Sequence, residues 1–229
     1  MSIVYIISAP SGSGKSTLVN ELRKIVSGLD FSISYTTRRP RGSEQNGREY
    51  FFVPREDFDE MRKRNEFLEH AEVFGNCYGT AKRFLDEARQ RGHDLLLDID
   101  VQGAAQIKKQ IPDAVSIFIL PPDRKTLELR LRRRSLDAEE VIQRRLITAS
   151  KEIENYSNYD YILVNDRLEE SIDELKDVVL AERFKRSKAK LSPAEQEMVA
   201  RAERCRLENV GERVRPILQS FALATPLGH

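Results

Sequence analysis

The stretch "YIISAPSGSGKST", residues 5–17, constrains this chain more than any other. An apolar run ends in a glycine- and serine-rich turn, and an amphipathic pattern begins at Lys15. Strand, glycine turn and helix, in that order, are what a phosphate cradle requires: backbone N–H groups surround the oxygens, and a lysine and a hydroxyl complete the site. The rule G-x-x-x-x-G-K-[ST] is met at Gly14, Lys15 and Ser16, but Ala9 stands where the first glycine belongs. Ala9 is harmless if it is still finishing the strand at negative φ, and harmful only at positive φ.

In this reading the loop Ala9, Pro10, Ser11, Gly12, Ser13, Gly14, Lys15, Ser16 and Thr17 holds a nucleoside triphosphate. The amides of the Ser11–Ser16 turn and the following helix N-terminus face the phosphates, and Lys15 reaches the β/γ oxygens. The Ser16 hydroxyl is the protein's ligand for Mg²⁺. Gly12 and Gly14 supply backbone conformations that a side chain would obstruct.

Apolar runs at residues 3–7, 95–99, 115–120 and 161–164 alternate with helical patterns. That alternation predicts an α/β fold, a parallel sheet flanked by helices on both faces. The helix after the loop should bury Leu18, Leu22, Ile25 and Val26, and one after residue 167 should bury Leu168, Ile172, Leu175 and Val178 or Val179. Between Phe31 and Tyr78 the texture changes: "FSISY", "EYFFV" and "FLEHAEVF" predict an inserted β-rich lobe. Residues 122–156 read as helical and charged, a mobile flap with five arginines from Arg124 to Arg134.

Composition excludes several classes. Over 229 residues, 38 basic and 37 acidic side chains nearly cancel, so no global field favours nucleic acid or an anionic membrane. Any anion site must be local. Two cysteines, Cys77 and Cys205, form no disulfide framework or metal cluster and suit a reducing cytoplasm. No apolar run approaches the roughly 20 residues of a spanning helix, and "SIVYIIS" lacks the basic leader of a secretory signal. The charge is unevenly placed: from Arg183 onward there are ten basic and five acidic residues. That basic tail, with a weak stripe at Met198, Ala202 and Cys205, predicts a helix that packs on the core or projects into solvent. A basic contact for a partner is the lesser reading.

A phosphate loop serves switches, motors and kinases alike, so the acceptor must be read elsewhere. "SYTTRRPRGSEQNGREY" gathers Ser34, Arg38, Arg39, Arg41 and Tyr50 with few acids nearby. Arginine forks match a phosphate dianion bidentately, and tyrosine adds a neutral donor. "LLLDID" delivers Asp98 and Asp100 to a strand's carboxyl end, where ligands of open α/β sheets gather. One of the two can organise Mg²⁺ hydration while the other contacts nucleotide, and Asp100 can also cap the next helix.

Taken together, "APSGSGKST", "SYTTRRPRGSEQNGREYFF", "FLEHAEVFGNCYGT", "LLLDIDVQGA", "RLRRRSLDAEEVIQRRL" and "YILVND" resemble the guanylate kinase family in family order from residue 3 to about 182. The resemblance implies a P-loop nucleoside triphosphate hydrolase fold with an inserted GMP-binding lobe and a helical lid. It divides the chain into a core (1–33, 83–122 and 157–182), a lobe (34–82), a lid (123–156) and a basic extension (183–229). It implies Mg²⁺-dependent, in-line transfer of the γ-phosphoryl of ATP to GMP. Arg38, Arg41, Tyr50 and Tyr78 would grip the GMP phosphate, and Ser34, Glu69 and Thr80 would read guanine, with Asp98 and Asp100 nearby. Lys15, Arg41, Arg134 and Arg145 would hold the charge developed in transfer, while Arg130 and Asn165 would stand on the ATP side. Arg132 and Arg133 read as solvated helix charge. The chemistry fits, because a carboxylate complements guanine's N1–H and N2–H₂ donor edge and a hydroxyl can serve O6.

The chain departs from the family at Arg133, Arg134, Ser135 and Leu136, where Gly-Arg-Gly-Thr is usual; the missing glycines stiffen the lid turn. Two alternatives stand beside this reading: a kinase of another nucleoside monophosphate, and a non-catalytic guanylate-kinase-like module that binds phosphorylated peptides. The intact Gly12, Gly14, Lys15 and Ser16 argue against the second.

Overall fold

The computed structural model describes residues 2–73, 75–134, 138–187 and 190–222, with backbone only at 134. Five strands form one sheet, β1 (Val4–Ser8), β2 (Leu29–Phe31), β7 (Asp94–Asp98), β8 (Val115–Leu120) and β9 (Tyr161–Val164), ordered β2-β7-β1-β8-β9. The pairs β2/β7 and β8/β9 are parallel. β1, β8 and β9 are buried throughout, which is why they read as continuous apolar runs rather than alternating ones. The chain divides into two compact units, Met1–Ile6 with Ser27–Val115, and Ile7–Val26 with Ser116–His229.

In the first unit a second sheet carries β3 (Tyr35–Thr36), β4 (Phe51–Phe52), β5 (Phe67–Val73) and β6 (Asn76–Ala81), ordered β4-β3-β6-β5. Phe31, expected in the lobe, belongs instead to β2 and pairs with Leu96 of β7. The sheet packs on Phe58, Phe67 and Cys77, with the Phe58 and Phe67 rings stacked 4.5 Å apart. Phe58 comes from α2 (Arg55–Lys63), a helix that apolar periodicity does not announce because Phe58 is its sole buried residue. Its formation follows charge placement: Glu56 and Asp57 lie in the first turn, Arg62 and Lys63 in the last. Helices α3 (Lys82–Arg91) and α4 (Val101–Gln110) follow in the same unit. β5 is an edge strand, and α4 covers its exposed backbone. The Gln106 amide both accepts from His70 N and donates to His70 O, and Gln110 donates to Leu68 O at 2.6 Å.

The second unit holds α1 (Lys15–Ile25), α5 (Arg124–Arg134), α6 (Glu139–Ile153), α7 (Leu168–Ser187), α8 (Pro193–Glu203) and α9 (Gly211–Ala222). α1 buries Leu18, Val19 and Leu22, whereas Ile25 is 51% exposed and Val26 forms the C-cap. α7 buries Ser171, Leu175, Val178 and Val179, and Leu168 is exposed. Val26 is nonetheless buried, at 5% exposure, so the stripes hold except at Ile25 and Leu168, which face solvent.

The tail packs on the core. Between α8 and α9 the chain runs antiparallel to β9: Ile162 N donates to Cys205 O at 2.8 Å and Leu207 N to Asp160 O at 3.1 Å. The sheet edge that β9 would otherwise expose is thus satisfied. α8 starts on a capping box, Ser192 with Glu195, with Pro193 opening the helix. Its Arg201 forks onto Asp177 of α7 at 2.6 and 3.3 Å, and the Asp177 side chain is only 1% exposed. Arg206 and Lys185 both reach Glu182, and Arg213 reaches Glu174. Removing Arg201 leaves a buried carboxylate without its cation, so Arg201→Ala should lower unfolding stability by about 3 kcal/mol. Asp177→Asn, which removes the charge and keeps the shape, should cost clearly less; urea denaturation of both variants measures the asymmetry.

Candidate active site

In the second unit β1 ends at Ser8, and Ala9 follows directly. Among the described non-glycine residues only Asn65 has positive φ, so Ala9 takes the ordinary conformation that its methyl group needs. Ser13 N donates to Pro10 O at 3.1 Å and closes the turn. Gly12 (φ 93°) and Gly14 (φ 88°) are both left-handed, and space forbids a side chain at either. A Cβ on Gly12 would meet the Leu131 and Leu127 methyls at 2.8 and 3.0 Å, and one on Gly14 would run into the Asn165 amide. Gly14 is the N-cap position of α1 and no side chain caps it, so the first-turn N–H groups keep their capacity for an anion. Lys15 and Thr17 are half-buried in that turn, and the Ser16 side chain is exposed.

Three side chains hold this loop. Asn165, 4% exposed just past β9, donates from its amide to Ser13 O at 2.7 Å. Arg130 of α5 donates to Asn165 O at 2.9 Å. Arg145 of α6 donates to the Ser11 hydroxyl at 2.8 Å. The structure thus places Arg145 and Asn165 on the loop and Arg130 behind Asn165, with Asn165 acting on the loop's backbone. The loop's support from Leu127 and Leu131, both fully buried, was not visible in sequence; their spacing reads as ordinary helix core. Arg134 is the last residue of α5, and its side chain, like Ser135 and Leu136, lies outside the described residues. Arg132, expected to be solvated charge, is exposed, and it also bonds Glu128 on its own helix and Glu139 at the start of α6, at 2.7 and 2.8 Å from one nitrogen. It ties the two helices together across the turn, because Glu128 lies one turn before it and Glu139 opens the next helix.

In the first unit Arg38 is 10% exposed and lies over the Tyr50 and Phe52 rings, 5.3 and 5.7 Å from their centroids. The Tyr50 and Tyr78 rings meet edge to face at 5.9 Å, and Tyr78 hydrogen-bonds Arg38. Both guanidinium nitrogens of Arg38 fork onto Glu44 at 2.9 and 3.0 Å, and Glu44 also accepts the Arg41 N–H at 2.8 Å. Burial pushes the Glu44 carboxyl up, but Arg38 and the Arg41 N–H outweigh it and hold it below the usual carboxylate range. One acid therefore fixes both basic residues of the loop: Arg38 through its side chain, Arg41 through its backbone. The Arg41 residue is exposed, and Arg39 contributes its carbonyl to Arg38. Ser34, half-buried before β3, offers its carbonyl to Phe51 N at 2.9 Å. Glu44 is visible in sequence as the acid inside "RRPRGSE", but only the folded loop shows which cations it serves.

Tyr78 and Thr80 are two apart on β6 and share one of its faces. Thr80 pairs across the strands with Glu69, and its hydroxyl donates to Glu69 Oε1 at 2.6 Å. Glu69 is 4% exposed. Burial pushes its carboxyl up to about 7, with Thr80 working against that and the nearby Asp100 charge adding to it. The other oxygen lies so near Gly103 of α4 that a Cβ there would sit 2.5 Å from it. Gly103 N donates to Asp100 at 2.8 Å, so Asp100 does cap α4 as its position suggests. Asp98 ends β7, half-buried. Gly103, Gln106 and Gln110 recur at helical spacing on the α4 face toward β5, and together they fix the strand that carries Glu69. The sequence "VQGAAQIKKQ" shows that spacing without showing what it faces.

Comparison with known proteins agrees with this geometry. The family model described as guanylate kinase matches residues 1–182. A protein named guanylate kinase from Koribacter versatilis is 64% identical over 225 residues, 97% of both chains. Another of that name from Escherichia coli K12 is 48% identical over 189 residues, covering 82% of this chain and 91% of its own. The crystal structure of guanylate kinase from Anaplasma phagocytophilum superposes with a TM-score of 0.67 at 35% identity, over 79% of this chain and 86% of that one. With a buried carboxylate and arginine–tyrosine cluster in one unit, and a pinned phosphate loop in the other, the chain belongs to the guanylate kinase family.

Proposed function

We propose that this chain transfers the γ-phosphoryl group of ATP to GMP, giving ADP and GDP. One observation carries the guanine assignment: Glu69 is buried and bonded by Thr80 on the strand face that it shares with Tyr78, in the unit that holds Arg38 and Tyr50. A buried carboxylate demands donors, and guanine's N1–H and N2–H₂ supply them. Adenine has no such donor pair, which argues against an AMP kinase on this scaffold. Arg38, Arg41, Tyr50 and Tyr78 take the GMP phosphate, and Ser34 joins the base-side contacts.

On the donor side the Ala9–Thr17 loop takes the ATP phosphates, with Lys15, Arg41, Arg134 and Arg145 holding the charge that develops in transfer. Arg130 and Asn165 keep that loop in place. Among the described residues no group of three or more His, Cys, Asp or Glu side chains could hold a metal ion. The exposed Ser16 hydroxyl suits Mg²⁺, which keeps several waters and binds through few protein ligands plus substrate phosphates. When bound with ATP, the ion would neutralise charge on the phosphate oxygens, with one of Asp98 and Asp100 organising its waters while the other contacts nucleotide. The division into core (1–33, 83–122 and 157–182), lobe (34–82), lid (123–156) and extension (183–229) is part of this reading. So is a cytoplasmic site of action, consistent with Cys77 and Cys205 as buried free thiols.

A coupled assay of ATP consumption with Mg²⁺ across AMP, GMP, CMP and UMP should give turnover with GMP far above the others; comparable rates with AMP or UMP would reject the guanine assignment. Glu69→Gln places an amide donor against guanine's donors and should cut kcat/KM for GMP by roughly a thousandfold while KM for ATP holds. The Glu69 carboxyl also sets a pH dependence. It must be ionised to accept from guanine, so KM for GMP should rise as pH falls through about 7. Because its folded pKa lies above the ordinary 4.5, its contribution to stability runs the other way, complete below about 4.5 and lost as pH rises through about 7. Initial rates and urea midpoints from pH 5.5 to about 8 measure both trends.

A further inference from the structure

We propose that the C-terminal segment belongs to the ATP-side machinery, with Ser220 a positioning residue that fixes α5 and, through α5, the phosphate loop. The family model ends at residue 182, while the Koribacter versatilis relative matches 97% of this chain and so extends well past that point. The segment is thus an addition shared by at least one relative, and its placement gives it work.

α9 buries Val214, Ile217 and Phe221 and packs against both α5 and α6. At its end the Ser220 hydroxyl donates to Ile217 O at 2.6 Å, which turns its lone pairs outward. Arg124 N, the first N–H of α5, donates to that oxygen at 3.1 Å. In the same turn Thr126 N donates to Asp123 at 2.6 Å. α5 is therefore capped twice, once by its own N-terminal residue and once by a hydroxyl 96 residues on.

The other contacts of α5 are those that shape the loop. Leu127 and Leu131 fill the space against Gly12, and Arg130 holds Asn165, which holds Ser13. α6 adds Arg145 on Ser11. α9 thus lies against both helices whose side chains set the loop's backbone. A shift of α5 along its axis, allowed once the Arg124–Ser220 bond is lost, moves Leu127, Leu131 and Arg130 together. The loop amides that receive the phosphates then lose their aim. This rests on the assignment of the Ser11–Ser16 loop to ATP.

The test uses the full-length chain and initial rates with one nucleotide varied and the other saturating. Ser220→Ala should raise KM for ATP about three- to tenfold, with KM for GMP unchanged within about twofold. Ser220→Thr keeps the hydroxyl and should restore the wild-type KM for ATP. A merely structural role would lower the unfolding midpoint without separating the two substrates. Equal changes for ATP and GMP, no change for ATP, or a Ser220→Thr variant as impaired as Ser220→Ala would each overturn the proposal. Lys15→Ala separates the layers: turnover and KM for ATP unchanged in that variant would overturn the loop assignment itself, whatever Ser220 does.

Discussion

The phosphate loop depends on one hydrogen bond, from the Asn165 side-chain amide to the backbone Ser13 O at 2.7 Å. A phosphate loop works by pointing successive N–H groups the same way, which needs left-handed residues that are unstable in an open chain. Gly12 and Gly14 remove the steric penalty but also leave the loop free to adopt other shapes. Asn165 selects one shape by fixing the carbonyl between them. Its own position follows from the sheet: Leu120 pairs with Val164, and Asn165 N donates to Leu120 O at 2.8 Å. The register of β8 and β9 is thereby converted into the geometry of an anion site. That is why a residue 152 positions from the loop governs it.

What the sequence discloses follows from the range of the forces involved. β8 and β9 were legible to the residue because both faces are buried and the apolar run has no other explanation. The strand-loop-helix unit at residues 4–25 was legible because the turn chemistry of Gly12 and Gly14 is local. α2 was not, since a helix anchored by Phe58 alone has no stripe to detect. Ile25 was misread because its spacing is right but the helix ends there. Arg38 and Tyr50 stand out in the sequence as a basic and aromatic cluster and Glu69 only through the family resemblance, whereas Glu44, Gly103 and Gln106 do not stand out. Each of those three acts on another residue across a loop or between elements, and such roles leave no periodicity. Ser220 is the extreme case, a serine in a short helix whose meaning exists only where α9 meets α5.

The uneven charge of the chain has a similar resolution. A basic tail after an acidic body reads as a surface seeking a partner, but the partner is α7. Asp177, Glu182 and Glu174 receive Arg201, Arg206 and Arg213 in turn. Glu174 and Arg213 form the more exposed pair of the three and contribute little, whereas Asp177 is buried, and neither kind of pair holds the tail alone. Ala202, Cys205, Val210, Val214, Ile217 and Phe221 are buried, and that apolar area supplies the attachment while the ion pairs set its register. The strand-like contact with β9 then closes an edge that a parallel sheet would otherwise leave open.

Donor and acceptor are recognised by opposite physical means. In the proposed reading triphosphate is held by backbone dipoles and basic side chains, which attract any polyphosphate and discriminate weakly between bases. In the proposed reading the acceptor base meets Glu69, a carboxylate whose burial disfavours its charge and pushes its carboxyl up to about 7. Burial makes the group a poor partner for water and a demanding one for ligands. A base that brings two donors restores what desolvation removed; one that brings an acceptor in their place leaves the charge stranded in low dielectric. Gly103 sharpens this. It lets α4 approach Glu69 to the point where any side chain would displace the carboxylate. On that reading, selectivity for the acceptor comes from an energetic liability in the free protein, and Gln106 and Gln110 hold the strand that carries Glu69.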